Sequence, residues 1–480
     1  MHWVDILIFI VYMIAMLGVG YYFLRTNKDE DDYYVGGRNM SKWHVGLSVV
    51  ATDVGGGFSI GLGGLGFTMG ISGSWMLFTG LVGAWLAAVF LIPKVRDIGA
   101  FRKLKTFPEI FGHIFTPEVA VIAGIISAIG YWGFTSSQIL AGAKLATATF
   151  PVLNLQYALW IIGIIAVVYT AMGGLKAVIY TDTVQWILLL GGLIFIGLPL
   201  GYYAIGGWEG LRSVVQPEML SLSNLSWSTF VNWLVTILPI WFVGMTLYQR
   251  IYACKNTKEA KQAWYIAGFF EYPIMAFMGV LLGLFARVAA DQGMFTHLGY
   301  QGIADMDSEM GLPLLLREVL PVGLMGLMMS AYFSAILSTA DSCLMAASGN
   351  IQSDIFKTFF SKRKNKLLAS QILTLGMGVA AVLLASQMTN VLTLMLYSYA
   401  FMVSGLLVPL IAGLFLNAAH GPSALTAMLV GGLTTVVLTL SGINLPLDLD
   451  PNIFGITLSA ISYGIVYQTK PKLQQTQNDD

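Results

Sequence analysis

The sequence predicts an all-α integral membrane protein, one bundle of about thirteen transmembrane helices occupying residues 1–480 as a single domain. Three observations carry this. Hydrophobic residues make up 56% of the chain and charged residues only 10%, with a mean hydropathy of +0.74, whereas a soluble domain carries about 25% charge. Apolar runs of span length recur to about residue 467 between polar, Gly or Pro punctuation, with no composition shift that would mark a second domain. Two of these runs, five spans apart, are interrupted in mid-membrane, the pattern of a bundle built from two inverted repeats.

In order, the expected spans are 3–24, 44–69, 74–95, 119–149, 157–172, 176–204, 229–251, 263–289, 311–350, 369–387, 389–415, 422–440 and 452–467. The first lacks a basic leading region and a small-residue cleavage site, and Arg25-Thr26-Asn27-Lys28 follows it, so it reads as a retained span. The second contains Ala51-Thr52-Asp53-Val54-Gly55-Gly56-Gly57. Gly costs about 1 kcal/mol per helical position relative to Ala. The triglycine is therefore expected to unwind the helix, and carbonyls freed at that depth must be satisfied by an ion or a solute. The span 229–251 holds Pro239 and Gly244 in Leu238-Pro239-Ile240-Trp241-Phe242-Val243-Gly244-Met245. With breaks in matching positions, 44–204 and 229–415 become two five-helix repeats of opposite orientation. One helix (3–24) precedes them, two (422–467) follow, and 468–480 forms a tail. The stretch 311–350 exceeds the roughly 20 residues a span needs, and Pro313 and Pro321 predict a short surface helix ahead of the span proper.

Basic residues orient the bundle. Arg25, Lys28, Arg38 and Lys42 fall in the first loop, Arg96, Arg102, Lys103 and Lys105 in the third, Lys255, Lys258 and Lys261 in the seventh, and Lys357, Lys362, Arg363, Lys364 and Lys366 in the ninth. All are odd-numbered loops, while the loop 290–312 is acidic at Asp291, Asp305, Asp307 and Glu309. The expectation is a plasma-membrane protein with its N-terminus outside and its C-terminus in the cytoplasm. Cys254 and Cys343 lie at a helix end and inside a span, which excludes a disulfide and a cysteine metal site. The five histidines are scattered, and no Walker A, HExxH or GxSxG sequence is present. ATP-driven pumping and hydrolysis lose their usual signatures.

Chemistry concentrates in a few positions. Ala335, Ser338, Thr339 and Ser342 fall at i, i+3, i+4 and i+7, so three hydroxyls and an accessible carbonyl share one helical face. Sodium is a hard cation that prefers oxygen, and such a face suits it. The plain alternative is that these hydroxyls bond back to their own helix. Buried acids tip the balance, because each costs at least about 2.5–3.5 kcal/mol near a helix centre. They are Asp53 at the first break, Asp182, Asp341 and Glu271. Glu271, without a hydroxyl cluster, is expected to meet a structural partner or interior water. Lys144 is expected near the outer interface, where it snorkels.

At these residues the chain resembles the sodium:solute symporter family, over nearly its whole length. The resemblance rests on Asp32-Tyr33-Tyr34-Val35-Gly36-Gly37-Arg38, Ser72-Gly73-Ser74-Trp75, Tyr169-Thr170-Ala171-Met172-Gly173-Gly174-Leu175, Tyr180-Thr181-Asp182-Thr183-Val184-Gln185, Gln249-Arg250 and Ser338-Thr339-Ala340-Asp341-Ser342, in that order. It is nearest the sodium/proline, pantothenate and choline branches. The resemblance implies a LeuT-like fold of five plus five inverted helices. It further implies a main sodium site from the carbonyls of Ala51, Val54 and Ala335 with the hydroxyls of Ser338 and Thr339. A second site, found in some members, would use Asp182 with Ser342 and Asp341, and Asp53 matches an acid implicated in sodium binding in the proline branch. Substrate is expected at the midplane, beside Asp53, Gly56, Phe134, Gln138 and Trp241. Ile237 and Met245 stand where the proline branch has an aromatic and a proline.

The expected function is secondary active import of a small polar organic solute, coupled to sodium. Proton coupling through the buried acids is the alternative within transport, and a solute sensor the alternative outside it. No catalytic constellation points to an enzyme. The expected partners are the bilayer and the solute, with no nucleic acid and no obligate protein partner.

Overall fold

The computed structural model describes residues 2–26, 35–53, 56–150, 152–356 and 366–469, and all its regular elements there are helical. Helix α1 (Trp3–Thr26) precedes the first interrupted span. The described residues of that span form α2 (Lys42–Asp53) and α3 (Gly56–Met69). Gly56 and Gly57 therefore already belong to α3, and the triglycine does not unwind as a unit. Val54 and Gly55 lie outside the described residues, as do Lys28, Asp32–Tyr34, Lys357, Lys362–Lys364 and the tail from Lys470. Gly57 serves another purpose, since a Cβ there would fall 2.4 Å from Gln138 Oε1.

Next come α4 (Trp75–Leu86), continuing through Ala87–Leu91 into α5 (Ile92–Phe101), then α6 (Pro108–Ile114) and α7 (Pro117–Thr149). The two spans expected at 157–172 and 176–204 meet an unbroken helical assignment, α8 (Leu155–Gly192), which passes through Leu193–Gly197 into α9 (Leu198–Ala204). Its contacts show that it is not straight. A Cβ on Gly142 would lie 2.7 Å from Ile162 and 3.5 Å from Ile336. Ser338, two residues beyond Ile336, bonds Asp182. The 20 residues from Ile162 to Asp182 would span about 30 Å in a straight helix. The run therefore departs from a straight helix between them.

After α10 (Gly207–Val214), the second interrupted span runs as α11 (Trp227–Val243) and α12 (Met245–Ala253), bent by 43°. The break falls at Gly244, whose backbone is extended (φ −72, ψ 115), and Pro239 is carried inside α11. Helix α13 (Thr257–Phe269) passes through an irregular turn, Phe270–Met275, into α14 (Ala276–Asp291). There follow α15 (Gly311–Val319), α16 (Leu324–Asn350), α17 (Lys366–Ala385), α18 (Val391–Leu414), α19 (Gly421–Ser441) and α20 (Pro451–Gln468). By length and apolarity, seven described helical runs suffice to cross a membrane, or eight with the bent α11–α12 pair as one span. The count of thirteen rests on the sequence reading. Helix α15 corrects the expected surface helix: Gly311 to Leu316 are buried, because its leucines pack against α3, α7 and α14.

Helix α16 packs on α7 and α8, α2 on α13, and α3 on α14. The α3–α14 crossing is the tightest of these in backbone terms. A Cβ on Gly66 would fall 2.1 Å from the Val280 carbonyl oxygen, and one on Gly283 would fall 1.9 Å from that of Gly63. Neither oxygen can rotate away. Gly283→Ala is therefore expected to cost about 1–3 kcal/mol. Gly376→Ala, on α17 with nothing within 4 Å, should stay within about 0.5 kcal/mol. Thermal melts of the two variants in detergent check the difference, and equal melts would refute it.

The loops sort to two ends. Met40 N–H donates to Ala253 O at 2.9 Å and Lys255 N–H to Met40 O at 3.1 Å. Arg96 donates to Cys254 O at 2.6 Å, and Arg38 to Leu104 O at 2.8 Å. Basic residues of the first, third and seventh loops thus meet at one end. At the other, Trp75 Nε1 donates to Leu222 O at 2.8 Å, and the acidic loop joins α7 through Lys144 and Asp307.

Candidate functional site

The hydroxyl face of α16 is buried and points at the first break. Thr339 Oγ1 lies 3.1 Å from Ala51 O, near the end of α2, and 3.0 Å from Ala335 O on its own helix. One hydroxyl and two carbonyls from the expected ion site therefore converge across the gap between α2 and α16. Ser338, about 100° further round the helix, turns to α8 and donates to Asp182 Oδ1. The fifth expected residue, Val54, lies outside the described residues. The result is a compact set of oxygen donors with a carboxylate one hydrogen bond away.

Around Asp182 the structure places a cation that sequence reading assigned no role. Arg250 of α12 is 0% exposed. Its Nε donates to Ser48 Oγ at 3.0 Å, and its Nη1 to Thr246 O at 3.2 Å. Nη2 serves Thr52 Oγ1 at 2.5 Å, Ser342 Oγ at 3.2 Å and Asp182 Oδ2 at 3.4 Å. Asp182 Oδ2 also accepts from Ser48 Oγ at 2.5 Å. Asp182 and Ser342 thus meet through the guanidinium. Asp341 faces elsewhere: Thr170 Oγ1 donates to its Oδ1 at 2.5 Å, and Oδ2 has no hydrogen-bond partner among the described residues. The available signal for Arg250 was its position, a lone cation directly after the second break.

On the solute side, Tyr399 of α18 donates to Asp53 Oδ1 at 3.3 Å and packs edge-on against Phe134 at 5.1 Å between ring centroids. Gln138, one turn from Phe134, abuts Gly57 and leaves Oε1 unpartnered among the described residues. Asp53, Phe134 and Gln138 therefore gather at the start of α3, where Gly56 also lies. Trp241 sits against α4, with Gly83 beneath its edge, and packs on Trp264 at 6.4 Å.

One expectation is corrected and a second is narrowed. Lys144 does not snorkel to an interface: it is 2% exposed and ion-paired with Asp307 and Glu309 at 2.6 Å each. For Glu271, expected to meet a structural partner or interior water, no protein partner is found: neither carboxylate oxygen has one among the described residues.

The family model for the sodium:solute symporter family matches residues 33–431. The chain belongs to that family. This symporter is 26% identical over 95% of its length to the osmoregulated proline transporter OpuE of Bacillus subtilis, covering 92% of that protein. It is also 26% identical to the sodium/proline symporter of Escherichia coli, over 89% of this chain and 86% of that one. The sodium/glucose cotransporter of Vibrio parahaemolyticus is 28% identical over 75% and 70% of the respective chains. Among solved structures, a Na+-coupled sialic acid symporter in a substrate-bound outward-open state superposes with a TM-score of 0.80, at 22% identity and 98% coverage of both chains. The symporter thus has the expected LeuT-like fold, and sodium is its coupling ion. It is a multi-pass membrane transporter, not an enzyme.

Proposed function

We propose that this symporter imports a small polar organic solute by alternating access, with sodium bound between the first interrupted helix and α16. The convergence of Thr339 Oγ1 on the Ala51 and Ala335 carbonyls carries this reading. The proposed ligands are those two carbonyls, the Val54 carbonyl and the hydroxyls of Ser338 and Thr339. An ion there draws α2 and α16 together and favours the state in which the solute pocket is assembled, because a ligand shifts a conformational equilibrium by its differential affinity for the two states. The solute would sit beside Asp53, Gly56, Phe134, Gln138 and Trp241. A second sodium at Asp182, Asp341 and Ser342 would have to share Asp182 with the Arg250 guanidinium, so one sodium per cycle is the stronger reading. The grouping of basic loops at one end supports an N-terminus outside and a C-terminus in the cytoplasm of a plasma-membrane protein.

The test separates ion binding from transport. Sodium chloride, compared with potassium chloride, is expected to raise the melting temperature of the purified protein. Stabilisation would approach about 2.7 kcal/mol at a hundred times Kd. Ser338→Ala with Thr339→Ala should flatten the response and abolish sodium-driven uptake in proteoliposomes. Uptake indifferent to sodium, or driven by a pH gradient in sodium-free buffer, would overturn this mechanism.

A further inference from the structure

Glu271 lies in the irregular turn Phe270–Met275 between α13 and α14. Its depth follows from its neighbours: Gly46 of α2 abuts Ala263 and Ile266, and Leu62 of α3 abuts Gly279. Glu271 therefore sits level with the break between α2 and α3. Its carboxylate rests on α4, where a Cβ on Gly80 would fall 1.9 Å from Oε1. One turn along α4, Gly83 takes the edge of Trp241, 2.5 Å from Cδ1, three residues before the second break. The same face of α4 thus presents a carboxylate and an indole, and Trp241 is backed by Trp264.

This is an unusual place to leave an acid without company. Both Glu271 oxygens are buried and lack hydrogen-bond partners among the described residues. Asp53, which ends α2 at this level, is a second acid and offers it no compensating charge. The cation at this depth, Arg250, is engaged by Asp182, Ser48, Thr52 and Ser342. Lys144 is engaged by Asp307 and Glu309. A buried carboxylate is tolerated when a cation and hydrogen-bond donors compensate it. Protonation would remove the charge and still leave an unmatched donor and acceptor. A ligand that brings positive charge and N–H donors satisfies both needs, and one without a carboxylate avoids repulsion from Asp53 and Glu271.

We propose that Glu271 recognises the solute, and that the solute is a small organic cation with N–H donors and no carboxylate, an alkyl ammonium or a guanidinium. The cationic head lies between Glu271 and Asp53, and its methylenes pack on Trp241. A quaternary ammonium, which has no N–H, fits less well. This inference rests on the sodium-coupled reading above and names its substrate class.

The experiment uses the full chain in proteoliposomes with an inward sodium gradient, with putrescine and agmatine as probes beside proline, glycine betaine and glucose. Both amines are expected to accumulate in sodium and not in potassium, at least tenfold over glycine betaine. Glu271→Gln should raise KM for the amines at least tenfold, while the sodium-induced rise in melting temperature persists and shows that the variant folds. Uptake of neither amine overturns the inference. So does preferential uptake of proline or glucose, or amine uptake by Glu271→Gln equal to wild type. These results leave sodium coupling standing, which the melting response reports separately. Should Glu271→Gln fail to fold, the wild-type preference for amines over glycine betaine decides.

Discussion

Arg250→Ala is expected to destabilise the protein by about 3–5 kcal/mol and to eliminate sodium-driven uptake, because it strands the Asp182 carboxylate at 1% exposure without its cation. The guanidinium reaches Ser48, Thr52, Ser342, Asp182 and the Thr246 carbonyl from three nitrogens. Lysine offers its donors from a single atom and cannot span that set, so Arg250→Lys should recover little. Arg250→Ala combined with Asp182→Asn removes both charges and should recover a large part of the stability. Melting curves of the four proteins form a double-mutant cycle. If Arg250→Ala melts like wild type, the pair is not the structural joint described above. The uptake loss has a separate origin: Ser338 bonds Asp182, and Thr52 adjoins Ala51, so the sodium ligands take their positions from the same network.

The second large effect is expected at Lys144. Its two carboxylates belong to the loop before α15, and Glu309 does double duty there. Glu309 Oε2 accepts from Val391 N–H at 2.9 Å and Oε1 from Leu392 N–H at 3.0 Å, capping the first turn of α18. Lys144→Met leaves Glu309 buried at 1% exposure without a cation, at a cost of about 3–5 kcal/mol. Glu309→Gln keeps one acceptor for the cap and should cost less. Hydrogen exchange is the discriminating readout. In Lys144→Met, amides at 303–312 and at 391–394 should both exchange faster, since one carboxylate holds both segments. Acceleration confined to the loop would mean that the cap does not depend on the ion pair.

Local features were the most legible. The interruption at Gly244 could be read from Pro239 and Gly244, because both act on the backbone where they stand. The convergence of Ala335 and Thr339 was equally accessible, since a helix places i and i+4 on one face. What escaped depends on partners far along the chain. Lys144 looked like a snorkelling residue until Asp307 and Glu309, more than 160 residues later, came beside it. Arg250 draws its partners from α2, α8, α12 and α16, and no spacing rule connects those. The side-chain choice at Ser338, toward Asp182, is a rotamer outcome that helical periodicity does not address. The role of Gly57 was misread for the same reason: its neighbour is Gln138 of another helix, and the demand is for space.

The paired backbone bonds between Met40 and the chain at Ala253–Lys255 bear on how this architecture is inherited. They join the segment entering the first interrupted helix to the segment leaving the second, and neither bond involves a side chain. Any residue except proline can supply them. Drift in sequence can therefore proceed at such a seam without loosening it, which fits a backbone that keeps a TM-score of 0.80 to a protein sharing 22% of its residues. Substitution scans will under-report the seam for that reason, and proline, which removes a donor, is the residue that would expose it.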